Sequence, residues 1–207
     1  MFLSRISLNL YNRSTMKALN SPSIFHGAIE NSFVGERKRN LWRIDRLQNN
    51  YYILILSETI PDFSAFCTQF EPNSVETKSY DKLLEKIKYG DKWHFRITAN
   101  PTKAVKKYAQ NNHNRGKILP HITIEFQKKW LIEKSLKNGF LLSDNSFDVV
   151  QNSWKHFYKK GSRRVSILSV TYEGVLTISN EELFKKALVM GIGRGKAYGM
   201  GLMTIIK

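Results

Sequence analysis

The order of strand and helix patterns constrains the fold of this 207-residue chain more than any other feature. In each half, alternating apolar and polar residues typical of strands, and the three- or four-residue spacing typical of helices, follow one another as βαββαβ. This is the order of the ferredoxin-like unit, which RNA-recognition modules also use. The sequence therefore predicts an α+β protein of two tandem ferredoxin-like (RRM-like) βαββαβ domains, residues 1–89 and residues 90–207.

The first half supplies the six elements between residue 2 and Tyr89. They are a strand at 2–10, a helix from Ser21 towards Gly35, a hairpin of strands at 40–46 and 51–58, a helix at 61–70, and weakly β sequence that ends near Tyr89. Ser21 followed by Pro22 is typical of an N-cap with proline at the first helical position. Phe25 and Ile29 then recur four residues apart, which predicts the buried face of that helix.

The second half repeats the order with longer strands. The predicted elements are a strand at 92–100, an exposed loop at 101–120, a helix at 122–139, strands at 146–158 and 163–179, a helix from about Asn180, and a strand at 198–207. Gly139 stands where a glycine ends a helix. Ser179 and Glu182 have the spacing of a capping box, which predicts Ser179 as the N-cap of the last helix.

The charge of the chain indicates an anionic partner. Lys and Arg number 33 against 17 Asp and Glu, so the formal net charge is +16, a strong excess for so short a chain.

No apolar run is long enough for a membrane span, and the N-terminal residues lack the features of a signal peptide. The single cysteine, Cys67, excludes an internal disulfide. We expect a cytoplasmic protein with no membrane association.

Two motifs combine cations with structures that suit nucleic acid. Residues 191–201 hold five glycines with Arg194 and Lys196. The spacing of these glycines fits neither the G-x-G-x-x-G dinucleotide-binding motif nor the P-loop. The backbone amides that they leave exposed suit contact with a polynucleotide backbone. The alternative is a tight turn. Residues 155–164 interleave cations with aromatic residues at the tip of two long strands, which predicts contact with RNA; the alternative is a tip made basic only for solubility. The segment begins with Lys155, and the cations at its tip are Lys159, Lys160, Arg163 and Arg164.

Two further basic clusters are visible in the sequence. The first consists of Arg37, Lys38, Arg39 and Arg43, close to the first helix, and the second of Lys103, Lys106, Lys107, Arg115 and Lys117.

Catalytic candidates are few, and none of the usual metal-ligand motifs is present in the sequence. His26 follows the apolar stripe of the first helix by one residue, so it should lie at the rim or be exposed, with Glu30 one turn away. An imidazole beside cations can exchange a proton with a ribose hydroxyl or a leaving oxygen, which permits RNA cleavage without metal. The alternative is an ordinary surface histidine. We expect no cofactor and no metal site.

These motifs together resemble the CasE family, the CRISPR repeat-processing endoribonucleases of the type I-E system. The segments that carry the resemblance run in family order along nearly the whole chain: MFLSRISLN, NSPSIFHGAIENSF, ERKRNLWRID, KYGDKWHFRITANPTK, YEGVLTIS and GIGRGKAYGMGLMTI. The resemblance implies binding of a CRISPR repeat stem-loop and metal-independent cleavage at the 3′ base of the stem, which leaves a 2′,3′-cyclic phosphate. It also implies that the protein stays on its crRNA product with the other subunits of Cascade.

The resemblance also assigns roles to residues. The catalytic histidine of the family corresponds to His26, and the position of its tyrosine is held here by Ser23. The resemblance therefore makes Ser23 a second catalytic candidate, with a nearby lysine as the alternative for orienting the scissile nucleotide. The hairpin cations that grip the stem correspond to Lys159, Lys160, Arg163 and Arg164, and the glycine-rich loop gives Arg194 and Lys196 as backbone contacts. We expect Arg37, Lys38 and Arg39 to bind RNA as well.

Two rival hypotheses remain open from the sequence. One is a non-catalytic RNA hairpin-binding subunit, suggested by Ser23 in place of the tyrosine. The other is a basic structural RNA-binding protein, such as a ribosome-associated factor, that does not prefer repeat hairpins.

Overall fold

The computed structural model describes residues 1–35, 38–105, 117–159 and 163–207. The elements of the first half are β1 (Phe2–Ser7), α1 (Arg13–Asn20), α2 (Pro22–Glu30), β2 (Leu41–Leu47), β3 (Asn50–Ser57), α3 (Ser64–Phe70), β4 (Ser74–Ser79) and α4 (Asp81–Glu85). Those of the second half are β5 (Lys92–Ala99), β6 (Thr102–Val105), β7 (Lys117–Pro120), α5 (Ile124–Lys137), β8 (Phe140–Leu141), β9 (Phe147–Lys159), β10 (Arg163–Ile178), α6 (Glu181–Met190) and β11 (Met203–Ile206).

The main sheets of the two halves have the same strand order. The first sheet runs β2-β3-β1-β4, and every neighbouring pair is antiparallel. In the second sheet β11 pairs with β5, β5 with β10, and β10 with β9, again antiparallel, while the short β8 extends the edge that β9 occupies. Both orders are those of the ferredoxin-like unit. The predicted α+β class with tandem ferredoxin-like domains is confirmed, while the boundary between residues 89 and 90 stays a prediction.

The first sheet is apolar on both faces because its strands alternate between two cores. On β3, Ile53 and Ile55 pack against the helices, in a core with Phe25, Phe66 and Phe70. The next residues along, Leu54 and Leu56, face the other way and pack against apolar residues of the second half. The two halves therefore share a hydrophobic interface, which fixes the position of one relative to the other.

A buried arginine crosses this interface. Arg43 of β2 is 1 % exposed, and its guanidinium donates hydrogen bonds to both carboxylate oxygens of Asp45 and to the carbonyl oxygens of Arg96 and Leu202. The sequence groups Arg43 with the cations Lys38 and Arg39, but Arg43 is buried whereas those two are exposed. The alternation of β2 turns Arg43 and Asp45 towards the second half, where the ion pair and the two carbonyl groups compensate for the burial of the charge.

Several other expectations are corrected by the structure. Helix α1 was not predicted, and residues 102–105 and 117–120, expected in a loop, form the hairpin β6–β7. The N-cap of α6 is Asn180, whose side chain accepts a hydrogen bond from the Leu183 amide, and not Ser179. The predicted end of α5 is confirmed, because Gly139 follows the helix with a φ of 75°. No helix in the described ranges is both long and apolar enough to cross a membrane.

Candidate functional site

His26 is held at the edge of the first core by its own helix. Pro22 occupies the first turn of α2, and the side chains of Phe25 and Ile29 are fully buried. Phe25 packs on Phe70 and on Trp42, with ring centroids 5.1 Å and 6.3 Å apart. Because each helical residue is rotated by about 100° from the one before it, the residue after Phe25 lies at the rim. The His26 side chain is 24 % exposed, as its spacing predicted.

A carboxylate lies beside the His26 imidazole. Glu30 follows one turn later on α2, and its Oε1 is 4.0 Å from Nδ1 of His26. Its side chain is 18 % exposed, so this contact is partly sheltered from water. At this distance the two side chains form an i,i+4 pair whenever the ring is protonated, but not a hydrogen bond.

The glycine-rich loop brings a lysine from the far end of the chain to this helix. Residues Lys196–Tyr198 form one 3-10 turn between Gly195 and Gly199, whose φ angles are 83° and 78°. Residues other than glycine rarely adopt such φ angles. A Cβ on Gly199 would also lie 2.8 Å from the ring of Trp42. The two glycines therefore let the turn pack closely against the first half, next to α2.

Three segments meet in one pocket, and one of them is distant in sequence from the other two. An open depression of about 290 Å³ is lined by His26 and Glu30 of α2, by Lys38, Arg39 and Asn40 before β2, and by Lys196 and Ala197 of the 3-10 turn. Three cations, Lys38, Arg39 and Lys196, thus line the same depression as His26. This convergence is what a site for a phosphodiester requires, because the negative charge of the phosphate is met from several sides.

The three cations of the pocket differ in their surroundings. Arg39 is exposed, and the ammonium of Lys38 donates a hydrogen bond to the carboxylate of Glu58 at the surface. Lys196 is half-buried. Its burial, and secondarily the Arg39 guanidinium, lower the pKa of Lys196 from its ordinary value of 10.5. Lys196 therefore loses its charge at lower pH than a fully solvated lysine.

Not every candidate lies in the pocket. Ser23 is one turn before His26 on α2, but its Oγ lies 3.2 Å from Oγ of Ser21, and Ser23 is not among the residues that line the depression. Arg194 is exposed on the glycine-rich loop, where its backbone forms an isolated antiparallel β-bridge with that of Asn100. Arg37 lies outside the described residues. Asn40 lines the pocket but was not a candidate, because the neighbouring cluster is marked by its cations and a single asparagine adds no such signal.

The hairpin of β9 and β10 carries the second group of candidates. Its register pairs Lys159 with Arg163 and Tyr158 with Arg164, which are the last pairs of the two strands. Arg164 is exposed, while Lys160 lies outside the described residues. On the face of Arg164, His156 stacks on Trp154 and shares a hydrogen bond with Ser166. The described part of the tip therefore presents one cation beside exposed aromatic rings.

The opposite face of the hairpin connects it to the pocket. Phe157 is buried and its ring lies 4.9 Å from that of Tyr198, in the turn that carries Lys196. The hairpin and the His26 pocket are thus joined through the glycine-rich loop. The cations of the remaining cluster that are described, Lys103 and Lys117, lie apart on the separate β6–β7 hairpin. Within the described ranges, no three His, Cys, Asp or Glu side chains form a group that could hold a metal ion.

Comparison with known proteins identifies the family. A family model described as "CRISPR associated protein" matches residues 1–207, the whole of the chain. The chain belongs to the CRISPR-associated protein family. Among relatives of this family, "CRISPR-associated endoribonuclease Cse3" of Thermus thermophilus is 25 % identical, with 99 % of each chain covered. "CRISPR system Cascade subunit CasE" of Escherichia coli is 26 % identical over 74 % of this chain and 73 % of the relative.

The fold of this CRISPR-associated protein is also found in a solved structure. A structure of CRISPR endoribonuclease Cse3 bound to a 19-nucleotide RNA superimposes with a TM-score of 0.84 at 24 % identity, covering both chains completely. The resemblance to the CasE family that the sequence motifs indicated is confirmed.

Proposed function

We propose that this chain is a metal-independent endoribonuclease that binds a CRISPR repeat stem-loop and cleaves precursor crRNA at the 3′ base of the stem. The observation that carries the proposal is the convergence of His26 with Lys38 and Arg39, and with Lys196 from the far end of the chain, in one pocket. The names of the two relatives, an endoribonuclease and a subunit of Cascade, support the same activity.

The proposed chemistry uses a nucleophile that only RNA contains. The 2′-oxygen attacks the adjacent phosphorus in line with the departing 5′-oxygen, the P–O5′ bond breaks, and a 2′,3′-cyclic phosphate remains on the stem. One proton leaves the 2′-hydroxyl and one is added to the 5′-oxygen. His26 carries out one of these transfers, and the cations stabilise the charge that collects on the phosphorane oxygens. The slope of the pH–rate profile distinguishes a base from an acid.

The stem of the substrate is proposed to lie along the β9–β10 hairpin. Arg164 is exposed there, and Lys159, Lys160 and Arg163 are its neighbours in sequence. Arg194 of the glycine-rich loop, Arg37 and Ser23 remain candidates for contacts with the RNA backbone near the scissile phosphate. Each phosphate contact displaces counterions, so we expect affinity to fall steeply with salt.

After cleavage the protein is proposed to remain on the stem-loop and to join the other Cascade subunits. The relative from Escherichia coli is named as a subunit of that complex. We propose the cytoplasm as the compartment, since repeat transcripts are made there.

The experiment that tests the activity is cleavage of a labelled repeat hairpin in EDTA. We expect one cut at the 3′ base of the stem and a cyclic-phosphate end that acid converts to a monophosphate. A 2′-deoxy nucleotide before the scissile linkage should abolish the cut and preserve binding. Tight binding without any cut would indicate the rival hypothesis, a non-catalytic hairpin-binding subunit. Equal affinity for unrelated stem-loops would indicate a general structural RNA-binding protein.

A further inference from the structure

A second, larger depression lies beside the His26 pocket and shares no lining residue with it. This groove has a volume of about 750 Å³ and separates α1 and the first sheet from the second sheet. Helices α5 and α6 cover one face of the second sheet through the core around Trp130 and Phe184. The opposite face, which carries Thr98 and Thr171, is open and forms one wall of the groove.

The charged residues of the groove favour an anion. Arg46, Arg96 and Lys155 line it together with one carboxylate, Glu173, which accepts a hydrogen bond from Arg96. Lys155 is half-buried, and no described carboxylate forms an ion pair with it. This burial, which removes part of the water around the ammonium, also lowers the pKa of Lys155. A phosphate at this position would be attracted more strongly than at an open surface.

The other wall of the groove is apolar and aromatic. Met16 and Leu19 of α1, with Ile44 and Tyr51 of the first sheet, line it; Met16 is 46 % exposed, and the guanidinium of Arg46 lies 5.7 Å from the Tyr51 ring. Nucleobases stack on aromatic rings and guanidinium planes when they are unpaired. A duplex buries its base faces, so only a single strand can use this wall and the cations together.

Two connections place the groove next to the His26 pocket. Lys155 and Phe157 lie on the same face of β9, two residues or about 7 Å apart, and Phe157 packs on Tyr198 beside Lys196. On the other side, Asn20 lines the groove at the end of α1, and α2 then carries His26. The groove is therefore reached by continuing past the pocket, away from the hairpin tip.

We propose that this groove binds the single-stranded RNA that continues 3′ of the cut, which is the strand that leaves. The inference rests on the proposed function, in which the stem lies towards the hairpin tip. A strand that runs from the stem base past His26 then enters the groove at Lys155. Substrate, which has this strand, is held more tightly than product, which has lost it.

The test compares three RNAs. In each of them the nucleotide immediately 5′ of the cut site is a 2′-deoxy nucleotide, so that none can be cleaved there. The first ends at the cut site, and the others extend it by about eight unpaired nucleotides on the 3′ or the 5′ side, a length within the site sizes of single-strand-binding folds. Fluorescence anisotropy gives the dissociation constants of the wild type, Lys155→Ala and Lys155→Met. Lys155→Met keeps most of the side-chain volume in case Lys155→Ala unfolds. The matched control, Lys137→Ala, removes the same charge from the exposed end of α5.

We expect the wild type and Lys137→Ala to bind the 3′-extended RNA about tenfold more tightly than the short RNA, as for one stacked base and one phosphate contact. Both Lys155 variants should lose this advantage and bind the short RNA as the wild type does. An equal loss on both RNAs, or an advantage confined to the 5′ extension, would overturn the assignment. A wild type that binds no repeat hairpin would contradict the proposed function itself.

Discussion

The imidazole of His26 and the carboxylate of Glu30 lie on successive turns of α2, with Nδ1 and Oε1 4.0 Å apart. A neutral residue at position 30 removes this contact and one negative charge from a pocket proposed to bind phosphate. For Glu30→Gln we expect cleavage to slow by about two- to fivefold, since partly exposed ion pairs contribute at most about 1 kcal/mol. Binding should be unchanged or tighter. Single-turnover rates and anisotropy on the same hairpin measure both, and weaker binding would contradict this role.

The charge of Lys196 should make RNA affinity depend on pH in the alkaline range. Because burial lowers the pKa of Lys196 below 10.5, its charge is present below the lowered pKa and is lost as pH rises through it. RNA affinity should therefore begin to fall at lower pH than an ordinary lysine would allow. In Lys196→Arg the charge persists, so the decline should move to higher pH. Titrating both proteins against the same RNA controls for ionisation of the bases. Identical curves would show that Lys196 does not bind the RNA.

Arg43 should contribute to stability and not to RNA recognition. Arg43→Met leaves Asp45 buried, with Arg96 as its remaining ion-pair partner among the described residues, its Nε 3.4 Å from the carboxylate. We expect the free energy of unfolding to fall by about 3 kcal/mol, the lower end for a broken buried ion pair. The same substitution at exposed Arg164 should change it by less than about 0.5 kcal/mol. Urea denaturation measures both. A stable Arg43→Met protein with weakened RNA affinity would contradict this structural role and assign Arg43 to RNA binding.

The 3-10 turn that carries Lys196 should depend on glycine at position 199. In Gly199→Ala the new Cβ meets the rigid Trp42 ring at 2.8 Å, and the φ of 78° is unfavourable. We expect a loss of about 2–4 kcal/mol in stability, with slower cleavage because the turn must move. The control is Gly27→Ala, which has nothing within 4 Å of its Cβ in a helix and should gain about 0.5–1 kcal/mol. Thermal unfolding and cleavage rates of both variants provide the comparison.

The fold was predictable because it depends on the order of elements. Large apolar residues mark α2 and α5, and long alternating runs mark β9 and β10, so both βαββαβ units could be recognised. Helix α1 was missed because Thr15 and Ala18 are its only buried residues, and these small side chains form no visible apolar stripe. The β6–β7 hairpin was missed because its strands have four residues each and few buried side chains.

The candidate site was predictable only in part, for a different reason. The rim position of His26 follows from its spacing to Phe25, and the glycine content of residues 191–201 marks the loop. Local pattern does not show which distant segments meet, so the pairing of Lys196 with His26 required the tertiary structure. Arg43 shows that closeness in sequence can also mislead. It follows three cationic residues closely in the sequence, yet it is buried, because strand alternation turns its side chain towards the second half.

The proposed mechanism is tested most directly by His26→Ala on a cognate repeat hairpin in EDTA, with the single-turnover cleavage rate and the dissociation constant measured on the same RNA. Loss of the proton transfer should slow cleavage by about 10²- to 10⁴-fold and leave the dissociation constant within a factor of about two. A loss of affinity as large as the loss of rate, or cleavage at the wild-type rate, would contradict the assignment of His26 as the catalytic residue.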